Sequence, residues 1–232
     1  MKYILIIGDG MADDPLEELG GRTPLEVCSK PYFDSLSERG TLGLVQTIPE
    51  GFPPGSDTAI MSIFGCDPAK YFSGRAPLEL AASGGVMPEG GACYRCNMVT
   101  LGGDESLPFA EKTMVSHSAG SIEGEESDEL IEWLFGHEEF RPMAEAAGMS
   151  VRPGSSFRHL AVQENGDIAG IVLAPPHDHL GEQIGGILPA GNANAKTLLA
   201  LMEKANALLE HHPINEKRRA EGHLPANGIW FW

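Results

Sequence analysis

The sequence lacks any apolar run long enough to span a membrane, and its amino terminus does not have the pattern of a signal peptide. It is also poor in basic residues: Lys and Arg total 16 against 33 for Asp and Glu, a formal net charge of −17. A surface this acidic disfavours nucleic acids and anionic membranes as partners. An anionic substrate would therefore need a local pocket of arginines that opposes the overall field.

Cysteine is scarce as well. The four cysteines show no regular framework, which is typical of a protein in a reducing cytoplasm. Cys93 and Cys96 are spaced so that two thiols could bind zinc or form a disulfide, but a structural zinc site needs a second pair of ligands. Cys28 and Cys66 lie far upstream in unlike surroundings. We therefore predict a cytoplasmic protein with no metal at the Cys93–Cys96 pair.

The most informative feature that is present lies at the amino terminus. Residues 3–7 form an apolar run, which is followed by Asp9 between Gly8 and Gly10. Such a run predicts a strand buried on both faces, as in parallel α/β sheets. The glycines permit a sharp turn, which would place Asp9 at the edge of the sheet where open α/β folds bind ligands. Asp9 is therefore either a ligand for a divalent metal or a turn residue that stabilises its own loop.

The rest of the chain, of which 42% is hydrophobic, can bury one large core or two small ones. The stretch 23–40 predicts a helix that Pro31 interrupts, with two short helices as the alternative. Further predicted strands are 41–47, 92–101 and 157–163, and further predicted helices are 57–64, 125–135 and 193–211. The Gly- and Pro-rich stretch 84–91 is typical of a hinge and predicts a domain boundary.

A second motif comprises residues 53–58, in which two prolines precede Gly55 and Ser56 at the expected start of a helix. Ser56 can act as the helix N-cap, which explains a serine at this position. The same position exposes a hydroxyl at a helix amino terminus, where the dipole and free N–H groups favour a phosphoryl group. A serine held against a metal can also attack phosphorus without a histidine base. The residues alone leave both roles open.

Taken in order, several segments resemble archaeal-type cofactor-independent (2,3-bisphosphoglycerate-independent) phosphoglycerate mutases. The longer matches are residues 6–13, 15–25, 53–57 and 74–79. The shorter ones are Arg95-Cys96-Asn97, His117-Ser118-Ala119-Gly120, Phe157-Arg158-His159-Leu160, Pro176-His177-Asp178, His212-Pro213-Ile214-Asn215-Glu216-Lys217-Arg218 and Pro225-Ala226-Asn227-Gly228-Ile229-Trp230. Each motif is short, but together they follow one another along essentially the whole chain. The chain is therefore identified as a member of this family.

The resemblance implies an α/β fold with an alkaline-phosphatase-like parallel sheet core and an inserted α+β cap domain. Residues 1–86 would be the N-terminal part of the core, and residues 87–232 the cap, whose last strand would return to the core. The implied protein is a metal-dependent, glycolytic isomerase, which interconverts 3- and 2-phosphoglycerate through a phosphoserine intermediate. Ser56 is implied as the nucleophile, and Asp9 and Ser56 as ligands of two divalent metal ions, manganese first, with magnesium, zinc or cobalt as alternatives.

The resemblance also implies substrate-binding residues in the cap, where arginines would bind the carboxylate and phosphate of the substrate. His117 and Arg158 resemble the histidine and an anion-binding arginine of the family. Arg95 and Arg218 are two further candidates, for which a surface ion pair is the alternative. For His177, which follows two prolines, we favour a structural turn.

The chain departs from the family at its end, because it stops at the apolar residues 228–232 while family members continue. We expect a fragment of a longer enzyme that leaves the second metal site incomplete and is inactive by itself. An exposed aromatic end would favour association. The alternatives are a related phosphotransferase of the homoserine kinase-like type and a non-catalytic, truncated anion-binding module.

Overall fold

The computed structural model describes residues 2–52 and 54–232, and it divides the chain into two compact units, Met1–Ala69 and Lys70–Trp232. The boundary that we predict after residue 86 lies later in the chain than this division. The helix that contains residues 75–82 packs with the sheet of the second unit. The assignment of residues 1–86 to a core and 87–232 to a cap stays a prediction.

The first unit contains a 3₁₀ turn (Glu17–Leu19) and the helices α1 (Pro24–Val27), α2 (Pro31–Arg39) and α3 (Ser56–Ile63). Thr23 caps α1 because its hydroxyl accepts a hydrogen bond from the Glu26 N–H at 3.2 Å, while the Glu26 carboxylate accepts one from the Thr23 N–H at 2.8 Å. Pro31 begins α2 at a position where its missing N–H costs nothing. The alternative of two short helices is therefore confirmed.

The two predicted strands of the first unit are wrong. Residues 3–7 and 41–47 form no strand in the part of the chain that the structure describes, and apolar side chains such as Ile4, Ile6 and Leu44 are largely exposed. A strand persists only when a neighbouring strand pairs its backbone groups, and the described residues of this unit form no β-ladder. The parallel core sheet is therefore not confirmed. The predicted turn is present, with Gly10 at φ +71° and the Met11 N–H bonded to the Gly8 carbonyl.

The second unit is built on one antiparallel sheet of five strands, in the order β2-β1-β4-β3 with β5 paired to β1. The strands are β1 (Ala92–Gly102), β2 (Thr113–Ser116), β3 (Met149–Arg152), β4 (Arg158–Gln163) and β5 (Gly228–Phe231). The helices are α5 (Arg75–Ala82), α6 (Glu125–Gly136), α7 (Arg141–Ala146), α8 (Ala193–Leu209) and α9 (Pro213–Ala220), and the short helix α4 (Pro68–Tyr71) contains the division between the units. Short 3₁₀ turns occupy Phe109–Glu111, Pro176–Asp178 and Ile184–Gly186. The predicted strands 92–101 and 157–163 and helices 125–135 and 193–211 are confirmed to within a few residues.

All strand pairs of this sheet are antiparallel, and helices pack against both of its faces. The main core lies on the face that α6 and α8 cover, where α8 buries a stripe at helical spacing that includes Leu198, Leu201 and Met202. On the opposite face, Leu80 of α5 packs against Leu160 and Val162 of β4 in a smaller cluster. The second unit is therefore an α/β layer structure with an antiparallel sheet.

The final strand completes this sheet. β5 pairs with β1, with Trp230 opposite Asn97 and Phe231 opposite Cys96. Trp230 and Phe231 are fully buried, and Trp232 is half-buried. The expectation of an exposed aromatic end is therefore wrong, because this segment pairs with β1 and is buried. The return of the last strand to a phosphatase-like core stays a prediction.

Strand alternation separates the two thiols of β1. Cys96 faces the main core, whereas Cys93 packs in the smaller cluster on the other face. Both are free cysteines, and burial raises the pKa of Cys93 to about 11. Thiols on opposite faces of a strand do not converge on one metal ion. Within residues 2–52 and 54–232, no helix has the length and apolar character needed to cross a membrane.

Candidate functional site

Aromatic and basic side chains gather on the α5 face of the sheet in the second unit. The His117 ring lies 5.8 Å from the Phe157 ring and 6.0 Å from the His177 ring, both edge to face. The His177 ring in turn lies 5.1 Å from the ring of Trp232, and the Arg158 guanidinium lies 4.8 Å above the Phe157 ring. We call these five residues the His117 cluster. It brings together the predicted substrate-binding pair, His117 and Arg158.

The register of the sheet explains why these residues share a face. Arg158 lies opposite Asn97 in the antiparallel β1–β4 pair, and residues directly opposite one another project to the same side. Trp232 exchanges backbone hydrogen bonds with Arg95, at 2.9 and 3.1 Å, which places it beside them. The Asn97 amide then donates to the His117 carbonyl at 2.9 Å and accepts from the Trp232 indole N–H at 3.1 Å. The buried Asn97 side chain thus hydrogen-bonds to two members of the cluster, His117 and Trp232.

The loop that follows His117 is strained and strongly braced. Ala119 and Ser121 have positive φ angles of 48° and 61°, a region that non-glycine residues rarely adopt. The Ser116 hydroxyl accepts a hydrogen bond from the Gly120 N–H at 3.0 Å, and Arg218 donates to the Ala119 carbonyl at 3.0 Å. Strained backbone of this kind is often found at functional sites, where the surroundings hold it in place.

The electrostatics of the cluster favour an anion. Burial, then the nearby His177 and Arg158, lowers the pKa of His117, because a charged imidazole loses hydration and meets positive neighbours. Arg158 is exposed, and its guanidinium donates no hydrogen bond to any residue that the structure describes. A bound anion would therefore find free donors on Arg158 and would remove the electrostatic penalty for charging His117.

The other two predicted arginines already have partners. Arg95 donates from Nε to Glu79 at 3.0 Å and from a terminal nitrogen to the second oxygen of the same carboxylate, and its guanidinium lies 4.8 Å from the Trp232 ring centre. Arg218 donates to the Glu126 carboxylate at 2.9 Å and to the Leu224 carbonyl at 2.9 Å. Both arginines are buried, whereas the carboxylates that pair with them are partly exposed. An anion-binding role for either one stays a prediction.

The predicted nucleophile and metal ligand lie in the first unit. Ser56 is the first residue of α3, and the N-cap is Gly55, so the predicted capping role of Ser56 is wrong. Its hydroxyl is exposed and makes no hydrogen bond with the described residues. Asp9 is exposed in its turn. Pro53 of the same motif lies outside the described residues.

A metal centre is not complete in these two units. The described residues contain no group of three or more His, Cys, Asp or Glu side chains that could hold a metal ion. Asp9 and Ser56 supply at most two ligands, whereas ordinary coordination needs about four protein or solvent groups. The residues present therefore do not fit a complete centre, and no chemical step is assigned to a metal.

His159 forms an arrangement that resembles a catalytic triad but works as a buried support. Its Nε2 lies 3.1 Å from the Ser127 hydroxyl, and its Nδ1 lies 4.0 Å from the Asp128 carboxylate. The Ser127 hydroxyl donates to the Ser156 carbonyl at 2.8 Å, and His159 Nδ1 accepts the Gly154 N–H at 3.1 Å. The proton therefore lies on Nε2, the opposite of what a base for Ser127 requires. Ser127 and His159 are also fully buried.

This buried histidine predicts a loss of stability at acid pH. Burial lowers the pKa of His159 to about 4 from an ordinary value of 6.5, and Asp128 opposes the change only in part. The pKa of His159 is lower in the folded protein than in the unfolded chain. The neutral His159 ring therefore contributes its full stabilisation above pH 6.5, and this stabilisation is lost as the pH falls toward 4. We expect the free energy of unfolding to fall by about 2 kcal/mol between pH 7.5 and 5 through this group.

Urea unfolding followed by tryptophan fluorescence at several pH values measures this effect, with His159→Gln as the matched variant. The variant should be less stable at pH 7.5 but should lack the part of the pH dependence that His159 contributes. An identical pH slope in both proteins would show that His159 is not the titrating group.

Sequence reasoning missed the roles of two residues of the cluster, His177 and Trp232, and of Asn97, which hydrogen-bonds to it. His177 was assigned to a turn, which is confirmed by the 3₁₀ turn Pro176–Asp178, but its ring also contacts His117 and Trp232. Asn97 and Trp232 received no role. Asn97 and His177 lie in quoted family motifs, so the signal was present, but only the folded sheet shows what their side chains contact.

The fold and the His117 cluster define a class: an α/β protein whose second unit carries a cluster of basic and aromatic side chains on an antiparallel sheet. Comparison with known proteins identifies the family. The model of the family "2,3-bisphosphoglycerate-independent phosphoglycerate mutase" matches residues 37–215. The chain belongs to this family.

Individual relatives agree with the family match. The chain is 44% identical to the 2,3-bisphosphoglycerate-independent phosphoglycerate mutase of Methanosarcina acetivorans, over 100% of this chain and 55% of that protein. It is 41% identical to a probable enzyme of the same name from Geobacter sulfurreducens, again over 100% and 55%. Among solved structures, the PH0037 protein of Pyrococcus horikoshii matches 97% of this chain and 48% of its own length, with 30% identity and a TM-score of 0.64. The chain thus spans about half the length of the relatives that it matches.

Proposed function

We propose that this chain is the part of a phosphoglycerate mutase that carries the nucleophile and the substrate-binding unit. The observation that carries the proposal is the pairing of Arg158 and His117 around Phe157, in a chain that belongs to the mutase family. A guanidinium with free donors beside an imidazole suits a small molecule with a phosphate and a carboxylate. In an acidic protein, this site supplies the local positive charge that such a substrate needs.

Ser56 is proposed as the nucleophile. Its exposed hydroxyl lies at the amino terminus of α3, an eight-residue helix, where unbonded N–H groups favour a phosphoryl group. In the proposed reaction, a bond forms between Ser56 Oγ and phosphorus as the bond from phosphorus to one substrate oxygen breaks. Ser56 Oγ gives up its proton in this step, and the released substrate oxygen gains one. The neighbouring hydroxyl then attacks the phosphoserine, which restores the serine and yields the isomer.

Further parts of the proposal rest on the family resemblance. Asp9 and Ser56 would contribute two ligands to a centre of divalent ions, with manganese as the first choice, and the two described units do not complete that centre. The parallel core sheet like that of alkaline phosphatase stays part of the proposal on the family resemblance alone, since residues 3–7 and 41–47 form no strand in the described residues. We also propose a cytoplasmic location, consistent with four free cysteines in the described residues.

A second candidate function is a non-catalytic anion-binding module. It is favoured by one observation: the His117 cluster lies entirely in the second unit, whereas the described residues do not complete a metal centre. A phosphotransferase that acts on homoserine is less well supported, because homoserine lacks the two anionic ends that the basic site would bind.

A mutase assay with manganese and 3-phosphoglycerate, coupled to enolase, tests the proposal. We expect the 232-residue chain to bind 3-phosphoglycerate without turnover. A chimera that joins this chain to the part of the Methanosarcina acetivorans relative that it does not span should turn over, because the relative is 44% identical along the whole chain.

The intact relative, assayed in parallel, is the positive control. A folded chimera that stays inactive while the relative is active would contradict the proposal. Turnover by the 232-residue chain alone would instead show that it completes its own metal centre, contrary to the incomplete ligand set in the described residues.

A further inference from the structure

We propose that His177 joins His117 and Arg158 in a phosphate-binding site that takes up a proton when the anion binds. This inference rests on the proposed function, because it describes the same site. It adds His177 as a binding residue and makes anion affinity depend on pH.

The geometry places two imidazoles and one guanidinium around one accessible surface. His117 is half-buried, and His177 and Arg158 are exposed, so an anion in solvent can reach all three. The His117 and His177 rings are 6.0 Å apart, too far for a direct hydrogen bond between them and close enough for both to contact one tetrahedral anion. His177 is held in place by edge-to-face packing against Trp232 at 5.1 Å.

The charged groups around the cluster leave the anion position open. On the sheet, Arg158 comes from β4, and Arg95 of β1 is already paired with Glu79 of α5. On the 3₁₀ turn, the carboxylate next to His177 is Asp178, whose oxygen lies 3.7 Å from His177 Nε2. No carboxylate is among the groups that shift the pKa of His117.

Without an anion, charging His117 is opposed by burial, by His177 and by Arg158, which together lower its pKa. A bound dianion reverses the sign of the local field, so it favours the protonated imidazoles, which donate from both ring nitrogens. Linkage then requires that anion affinity rise as the pH falls through the titration of the pair. Arg158 stays charged throughout and supplies the part of the affinity that does not depend on pH.

Asn97 fixes the distance between the two ends of this site. Its amide is bonded to both the His117 carbonyl and the Trp232 indole, and the residue is almost completely buried. Because Trp232 supports the ring of His177, Asn97 acts as a positioning residue for both imidazoles. The two histidines therefore form a pre-organised pair rather than two independent surface side chains.

The test uses the 232-residue chain and sulfate, a dianion whose own charge does not change between pH 5.5 and 8. Sulfate affinity is measured by isothermal calorimetry at constant ionic strength, and the imidazole signals are followed by NMR. We expect affinity to be about tenfold higher at pH 5.5 than at pH 8, which corresponds to one unit of pKa change. At pH 6.5, sulfate should move the His117 signals toward those of the protonated ring.

His177→Gln is the informative variant, because His177 is exposed and its replacement should leave the fold unchanged. We expect it to bind sulfate more weakly and with a smaller rise in affinity toward low pH, because one of the two imidazoles that contact the anion is gone. His223→Gln, which removes another exposed histidine of the second unit, is the matched control and should behave as the parent chain. A general effect of the acidic surface would persist in both variants.

Sulfate affinity that is the same at both pH values, a His177→Gln variant with an unchanged pH dependence, or the absence of sulfate binding at every pH would each overturn the inference. The chimera assay separates this failure from failure of the proposed function. A chimera that turns over while sulfate binding is independent of pH overturns the inference alone. An inactive, folded chimera with the expected sulfate behaviour overturns the mutase proposal alone.

Discussion

Ser56→Ala in the active chimera is expected to reduce mutase turnover by about 10⁴-fold or more, which is typical of removing a nucleophile. The physical reason is that the alanine methyl group cannot form the bond to phosphorus that carries the phosphoryl group between the two hydroxyls. Ser56 is the first residue of α3, and its side chain makes no hydrogen bond with the described residues. The variant should therefore fold as the parent does, and 3-phosphoglycerate affinity should change little.

Ser62→Ala is the matched control on the same helix. The Ser62 hydroxyl donates to the Thr58 carbonyl one turn earlier, at 3.2 Å, and that carbonyl belongs to the helix ladder. We expect turnover within about twofold of the parent, because such a local bond contributes little. Equal activity of the parent and Ser56→Ala chimeras would exclude Ser56 as the nucleophile and would require another acceptor of the phosphoryl group.

Arg218→Ala is expected to lower the free energy of unfolding of the second unit by about 2 to 3 kcal/mol, because it removes a buried guanidinium that bonds two carbonyls and a partly exposed carboxylate. Arg218 is buried and donates to the Glu126 carboxylate and to the carbonyls of Ala119 and Leu224. Its removal leaves two carbonyls without this donor and releases the strained loop that begins at His117. Urea unfolding followed by tryptophan fluorescence gives the value.

Lys217→Ala provides the comparison, because Lys217 binds the same Glu126 carboxylate, at 3.1 Å, but is itself exposed. An exposed pair of this kind contributes little, so we expect a change below about 1 kcal/mol. If Arg218→Ala kept its stability and lost affinity for 3-phosphoglycerate, Arg218 would be a substrate ligand, as the family resemblance implies. A large loss of stability would instead make it a support for the His117 loop.

Much of the second unit could be predicted from the sequence. The periodicity of α6 and α8 and the apolar character of β1 and β4 are local signals, and tertiary packing agrees with them. The interrupted helix of the first unit was also predictable, since Pro31 can begin a helix but cannot continue one. Residues 3–7 show the limit of this reasoning. An apolar run predicts a buried strand, but a strand forms only when a neighbouring strand pairs its backbone N–H and C=O groups.

The candidate site was predictable only in part. The family motifs pointed to His117 and Arg158, and the structure places them together around Phe157. The same motifs pointed equally to Arg95 and Arg218, although the structure gives both of them internal carboxylate partners. Ser56 was predicted at a helix start, but its place inside the helix rather than at the cap depends on backbone angles at Gly55.

By itself, the sequence determined the family, the helices α1, α2, α3, α6 and α8 and the strands β1 and β4, because these depend on motif order and on local periodicity. Only the tertiary structure decided which basic groups are available to an anion. Arg218 lies 92 residues from Glu126, and Asn97 lies 135 residues from Trp232. Such partners are brought together by strand register and helix packing, which no local pattern encodes. Whether an arginine binds a substrate or a carboxylate of its own chain is therefore set by the fold.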